Sequence, residues 1–207
     1  MEALLPGRAA NEFLLGLLAL DLEKHRIPAL ADVSRKLSAA TNWQIARTPG
    51  LLDAHDFFSY LARRIFPCTD YIRARHELDY TPAPDCFHDI FGHTPMIMHP
   101  RFANFYQKIG QAALACTDPA VEEGLTRIYW FTVEFGLIRQ GKSGQKDDLR
   151  IYGSGIVSSK GESIHCLHSD APNRIGFDLE RIMRTRYRID TYQKTYFVID
   201  SFEQLMD

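Results

Sequence analysis

No stretch of this 207-residue chain carries a run of Lys or Arg, and its formal net charge is only −2. That removes the electrostatic footprint of a nucleic-acid binder and the basic face of a membrane-surface helix. Long apolar runs are missing too. FLLGLLAL, residues 13–20, is stopped at once by DLEK, and eight residues do not cross a bilayer. It has no basic leader and no small-residue cleavage site, as a secretory signal would. The four cysteines, Cys68, Cys86, Cys116 and Cys166, show no CxxC spacing. A zinc ribbon and a disulfide framework are therefore not expected, and reduced thiols in a core are. There is no internal repeat, low-complexity tract or Pro/Gly-rich linker. With 45% hydrophobic residues, one core is the simplest reading: a cytoplasmic protein with a single domain over residues 1–207.

What is present is helical periodicity. Leu30, Val33 and Leu37 fit one helix. Phe57, Leu61 and Ile65 fit another, ended by Pro67. Residues 85–91 read as a short helix after Pro84, with Gly92 as its stop. Phe102, Phe105 and Ile109 begin a helix after His99-Pro100, and residues 119–139 form the longest helical candidate. Beyond the polar loop GKSGQKDD, RIYGSGIVSS suggests a hairpin or irregular strands, and TYFVID a strand. The expected fold class is mainly α with minor β (α+β), the β structure lying towards the C-terminus.

PDCFHDIFGHTP, residues 84–95, holds the strongest chemical signal. His88 and His93 are five apart, which on an α-helix is a rotation of about 140° and no shared face. The spacing does not match H-E-x-x-H. A glycine at 92 can distort the helix and let His93 swing back. The third ligand is expected at Glu134, the single charge in IYWFTVEFGLI, residues 128–138. A buried ionised carboxylate needs a cation or a metal beside it. Two imidazoles and one carboxylate make the facial triad of non-haem Fe(II) oxygenases, with positions left open; zinc also tolerates these ligands. Asp85 and Asp89 are other carboxylates close in sequence, better suited to capping or solvating the short helix.

YTPAPDCFHDIFGHTP resembles the metal-binding signature of the pterin-dependent aromatic amino acid hydroxylases. IYWFTVEFGL resembles that family's carboxylate-ligand helix, YGSGIVSSKGE its substrate-side loop and FPCTDYIR the segment before the iron motif. The blocks keep the family's order, and similarity runs from LLPGRA to YFVIDSF. The family's bacterial phenylalanine 4-hydroxylase branch is the most similar, since neither a regulatory domain nor a tetramerisation helix is recognisable.

The resemblance implies a helical catalytic core of that type and a monooxygenase using Fe(II), a tetrahydropterin (tetrahydrobiopterin or a related pterin) and O2 as cosubstrate. Its partners would be an aromatic amino acid and the pterin, with no nucleic acid and no membrane, and the chain a monomer. His88, His93 and Glu134 would ligate the iron. Arg73 would pair with the substrate carboxylate, with Thr81 and Ser158 close to it; Trp130 would pack on the substrate ring and Pro84 line the same pocket. Phe57 would stack on the pterin, edged by Gly50, Leu51 and Leu52, with Tyr129 and Glu162 on the pterin side. L-phenylalanine to L-tyrosine is the expected reaction. Tryptophan, tyrosine or the meta position of phenylalanine are alternatives within the same chemistry, and a non-catalytic metal-binding relative is the alternative of another class. A 2-oxoglutarate dioxygenase would place its carboxylate two residues after the first His, which this chain does not.

Three features depart from the family pattern. Asp89 stands where animal members carry Glu. The chain starts late: family members usually have another segment before LLPGRA, and its absence suggests a truncated or a naturally compact form. The loop RQGKSGQKDD differs in length and character from its counterparts.

Overall fold

A computed structural model describes residues 5–23, 25–48, 50, 52–77, 79, 83–141 and 148–206. Leu51, Thr81 and most of the polar loop lie outside the described residues. Mixed helix and strand, with helix dominant, is the observed class. Backbone contacts group into two compact units.

The first unit comprises Asn11–Ile72 and Pro84–Thr117. It holds α1 (Asn11–Leu20), α2 (Leu30–Thr41), β1 (Gln44–Arg47), α3 (Ala54–Ala62), β2 (Ile65–Cys68), a π-helix at His88–His93, α4 (Thr94–Ile97) and α5 (Pro100–Ala115). The apolar stripes bury as their spacing requires: Val33 and Leu37 of α2, and Phe102, Phe105, Tyr106 and Ile109 of α5. α3 lies so close to α5 that a Cβ on Gly110 would stand 2.5 Å from the Ala62 nitrogen, so only glycine permits this crossing.

β1 and β2 pair in parallel, Gln44 opposite Ile65 through Arg47 opposite Cys68. Ile65 is therefore strand and not the last turn of α3. Arg64 makes the break: its φ is +59°. Its guanidinium is tied to the Thr41 carbonyl and Asn104 Oδ1, both at 2.6 Å, and to Gln107 Oε1 at 2.9 Å. Pro67 sits within β2, where a two-stranded pair has an outer edge that tolerates a missing donor.

The second unit comprises Met1–Ala10, Arg73–Ala83 and Asp118–Asp207. It holds α6 (Pro119–Tyr129), a π-helix at Trp130–Glu134, β3 (Leu137–Arg139), β4 (Leu149–Ile151), α7 (Ser154–Val157), α8 (Lys160–His168), β5 (Asn173–Gly176), α9 (Leu179–Arg184) and β6 (Thr195–Ile199). Its sheet runs β4-β3-β6-β5, with β3 antiparallel to β4 and parallel to β6, and β5 parallel to β6. The long helix expected over 119–139 is thus α6, a π turn and the strand β3. Among the described residues the longest helix is α5. SGIV is helical rather than hairpin, while the expected strand at TYFVI forms.

All four cysteines are free, and Cys68, Cys86 and Cys166 are buried. Burial, with the Asp89 carboxylate beside it, pushes the Cys68 thiol far above its usual range, which makes it unreactive. Among the described residues no helix is long and apolar enough to cross a membrane.

Candidate active site

Asp85, fully buried, accepts a 2.9 Å hydrogen bond from the His88 backbone N–H and so starts the helix that carries both imidazoles. The six residues HDIFGH then form a π-helix, all of them buried. Gly92 does not stop the helix; it lies inside the π turn. A π turn bonds residue i to i+5, so residues five apart come round to one side. That resolves the spacing. The Nε2 atoms of His88 and His93 lie 2.9 Å apart, with the rings at 90°. His93 Nδ1 is 2.8 Å from the Tyr106 hydroxyl, and the Phe66 ring packs 4.3 Å from the His93 ring. With a proton on Nδ1 donated to Tyr106, His93 Nε2 is left as a lone pair. Two such lone pairs at this separation repel unless a proton or a cation lies between them, and a metal is the cation imidazoles prefer. Asp89, also buried, accepts from the Thr69 backbone N–H at 2.7 Å and its hydroxyl at 2.8 Å. Its carboxylate is engaged inward rather than solvating the helix.

The carboxylate side is built the same way. α6 passes into the π-helix Trp130–Glu134, where the Phe135 N–H donates to the Trp130 carbonyl at 2.9 Å, five residues back. At both π segments a threonine hydroxyl donates at 2.5 Å to the carbonyl four residues earlier: Thr94, just past the first, to Ile90, and Thr132, within the second, to Ile128. Such back-bonding bends a helix. Phe131, Thr132 and Val133 are buried and Glu134 is half-buried. Gly153 packs against this turn, and a Cβ there would stand 2.5 Å from the Glu134 carbonyl oxygen. The glycine of YGSG is therefore required by a close backbone approach beneath Glu134.

Arg73 is 8% exposed, so it is not a surface ion pair. It donates from Nη1 to the Ser158 carbonyl at 2.8 Å, and the Ser158 hydroxyl donates to the Ser154 carbonyl. The structure thus brings Arg73 and Ser158 together. Trp130 is half-buried; its indole stacks on Tyr187 at 4.3 Å and 18°, and its Nε1–H donates to Gln193 Oε1 at 3.1 Å. Tyr129 is buried. Glu162 is fully buried and accepts at Oε1 from the Gln193 backbone N–H at 3.0 Å and from the Tyr196 hydroxyl. Its Oε2 has no hydrogen-bond partner among the described residues. Burial raises its carboxyl above the usual range, against the pull of those two donors.

In the first unit Gly50 has φ +106°, a conformation open to glycine. Leu52 and Phe57 are half-buried, while the core face of α3 is Phe58 and Leu61. Phe57 is thus off the core stripe that its spacing suggested, with its ring edge-on to Phe66 at 6.4 Å. Pro84 is half-buried and its carbonyl accepts from the Tyr71 hydroxyl.

Tyr106, Tyr187, Gln193 and Tyr196 were not singled out by the sequence. Each meets its partner from a distant element, and nothing in local spacing marks them.

The model of the family described as biopterin-dependent aromatic amino acid hydroxylase matches residues 1–207. A phenylalanine-4-hydroxylase of Ralstonia nicotianae is 54% identical over 206 residues, covering 100% of this chain and 64% of that protein. That of Chromobacterium violaceum is 52% identical, covering 99% of this chain and 67% of the relative. Its crystal structure with bound iron(III) and 7,8-dihydrobiopterin superposes with a TM-score of 0.93, over 99% of this chain and 73% of that one. A human tyrosine 3-monooxygenase is 44% identical over 181 residues, which is 87% of this chain and 33% of the human protein. The chain spans about two thirds of the length of the bacterial relatives. It belongs to the biopterin-dependent aromatic amino acid hydroxylases.

Proposed function

We propose that this chain carries an iron- and tetrahydropterin-dependent monooxygenase site that converts L-phenylalanine to L-tyrosine. The observation that carries the reading is the His88–His93 pair, whose Nε2 atoms a π turn sets 2.9 Å apart. In a chain of this family, whose bacterial relatives are named phenylalanine-4-hydroxylases, an imidazole pair of that kind is a metal site.

His88, His93 and Glu134 would hold the iron. Two nitrogens and one carboxylate suit Fe(II) and leave a face free for other ligands. With pterin bound as electron donor, the iron supplies activation of O2, so that one oxygen atom enters the ring and the other is reduced. The rest is the work of the chain. Arg73 receives the amino-acid carboxylate; burial strengthens that pairing and the planar fork orients it. The Ser158 carbonyl holds the guanidinium in place. Trp130 presents its indole to the substrate ring, and Pro84 and Thr81 complete that side. Phe57, with Gly50, Leu51 and Leu52, receives the pterin ring, with Tyr129 and Glu162 on the same side. Tyr106, 2.8 Å from His93 Nδ1, would hold the proton there and leave Nε2 to the metal.

A second reading, hydroxylation of tyrosine, has the human tyrosine 3-monooxygenase in its favour. One assay separates the two. Iron-loaded protein is incubated aerobically with a tetrahydropterin and equimolar phenylalanine, tyrosine and tryptophan, and products are resolved by mass and retention time. para-Tyrosine is the expected product. A hydroxylated tyrosine or tryptophan replaces the substrate assignment, and no product from iron-replete, folded protein overturns the enzymatic reading.

A further inference from the structure

Trp130 has its indole N–H on a buried amide. Nε1 donates to Gln193 Oε1 at 3.1 Å. Gln193 Nε2 donates to the Arg188 carbonyl at 2.8 Å, with the Thr191 carbonyl at 3.4 Å. An indole N–H only donates and a carbonyl only accepts, so the amide has one permitted orientation. The Gln193 backbone N–H donates in turn to Glu162 Oε1, which also takes the Tyr196 hydroxyl. Gln193 is 3% exposed and Glu162 fully buried. Tyr187, stacked on the indole, comes from the same chain segment whose carbonyls Gln193 holds.

We infer that Gln193, anchored by Glu162, is a positioning residue for the aromatic substrate: it fixes the plane of Trp130 and, with it, the surface offered to the substrate ring. The inference rests on the role given to Trp130 above. Tyr187 and Phe135 flank the indole at 4.3 and 4.6 Å, and the Gln193 bond is the directional contact that sets the ring between them. A flat ring is recognised by a flat partner held in one orientation, and the energy of that recognition falls when the partner must be ordered during binding. Gln193 does not touch the iron ligands' side chains in this network, so its loss is read in amino-acid binding and not in metal content.

The chain has two tryptophans, and the second serves as an internal control. Trp43 is fully buried in the first unit, edge-on to Tyr106. With 15N-labelled tryptophan, the Zn(II)-loaded protein gives two indole N–H resonances, assigned through Trp130→Phe. In the wild type the Trp130 proton exchanges slowly with solvent. In Gln193→Met, which keeps length and loses the amide, the Trp130 resonance moves to the position of a free indole and exchanges about tenfold faster. The Trp43 resonance stays where it was. With Fe(II) loaded, KM for phenylalanine rises about fivefold, as the loss of one neutral hydrogen bond implies, while pterin KM and iron content are unchanged.

An unmoved Trp130 resonance in the folded variant overturns the inference, and so does a moved resonance with an unchanged amino-acid KM. If Gln193→Met disturbs Trp43 as well, the wild-type protein decides by itself: a Trp130 proton that exchanges freely, or that does not respond to added phenylalanine, refutes it. A wild type that shows the protected resonance and its response to phenylalanine yet makes no tyrosine refutes the catalytic reading and leaves the positioning role standing.

Discussion

His93 Nδ1 stands 2.8 Å from the Tyr106 hydroxyl while its Nε2 stands 2.9 Å from that of His88. With the Nδ1 proton donated to that hydroxyl, Nε2 is left as a lone pair for a ligand. Tyr106→Phe removes the hydroxyl without changing the ring, which stays packed among Trp43, Phe66 and Phe102. Iron affinity should fall by roughly tenfold or more, the usual effect of losing an outer partner of a ligating histidine. Competition against a chelator measures it. An unchanged affinity would show that Tyr106 does not orient the ligand.

Gly153→Ala sets a methyl group 2.5 Å from the carbonyl oxygen of Glu134 and from the nitrogen of Gly136. Backbone cannot yield as a side-chain tip can, so the variant should lose about 1–3 kcal/mol of stability. Iron occupancy should drop with it, because the displaced turn carries Glu134. Denaturant unfolding and metal analysis on the same sample test both effects.

Arg73→Ala should raise KM for the amino acid by about tenfold to a hundredfold, the range for a hydrogen bond to a charged group. Iron content should not change. Arg73→Lys should recover little, because a point charge does not replace the fork. If Lys restores full binding, the carboxylate is read by charge alone.

Glu162 gives a pH prediction whose sign follows from burial. Its carboxyl is raised in the folded state, so the folded protein holds the proton longer than the unfolded chain. The associated stability is fully present below the ordinary carboxylate range and is lost as pH rises through the raised value. Glu162→Gln cannot ionise and escapes that loss. Relative to the wild type, the variant should therefore gain stability as pH increases from the acid side towards neutrality. Urea unfolding of both proteins across that window measures it, and a constant offset would contradict the assignment.

The residues of the metal centre were more legible than its geometry. Glu134 stood out because it is the one charge among eleven apolar or neutral positions, and such a carboxylate calls for a cation. His88 and His93 stood out as chemistry, yet their spacing of five fits no α-helical face. The π turn that reconciles them depends on tertiary packing, and Gly92, a natural stop signal, became part of it. The same limit hid β3, since Leu137 and Ile138 continue an apolar run that reads equally well as helix. Ile65 misled because it extends the stripe of Phe57 and Leu61, while the reversal at Arg64 is held by residues of α2 and α5. Gln193 lies 63 positions from Trp130 and Tyr106 lies on a different helix from His93; neither pairing leaves a trace in local sequence.

The most direct test of the account is to supply 18O2 and a tetrahydropterin to the Fe(II)-loaded protein with phenylalanine as sole substrate, beside the His93→Ala variant. The account predicts para-tyrosine carrying one 18O atom, formed in proportion to bound iron and absent from the variant. Unlabelled tyrosine, equal product from His93→Ala, or no tyrosine from an iron-replete folded wild type would contradict it.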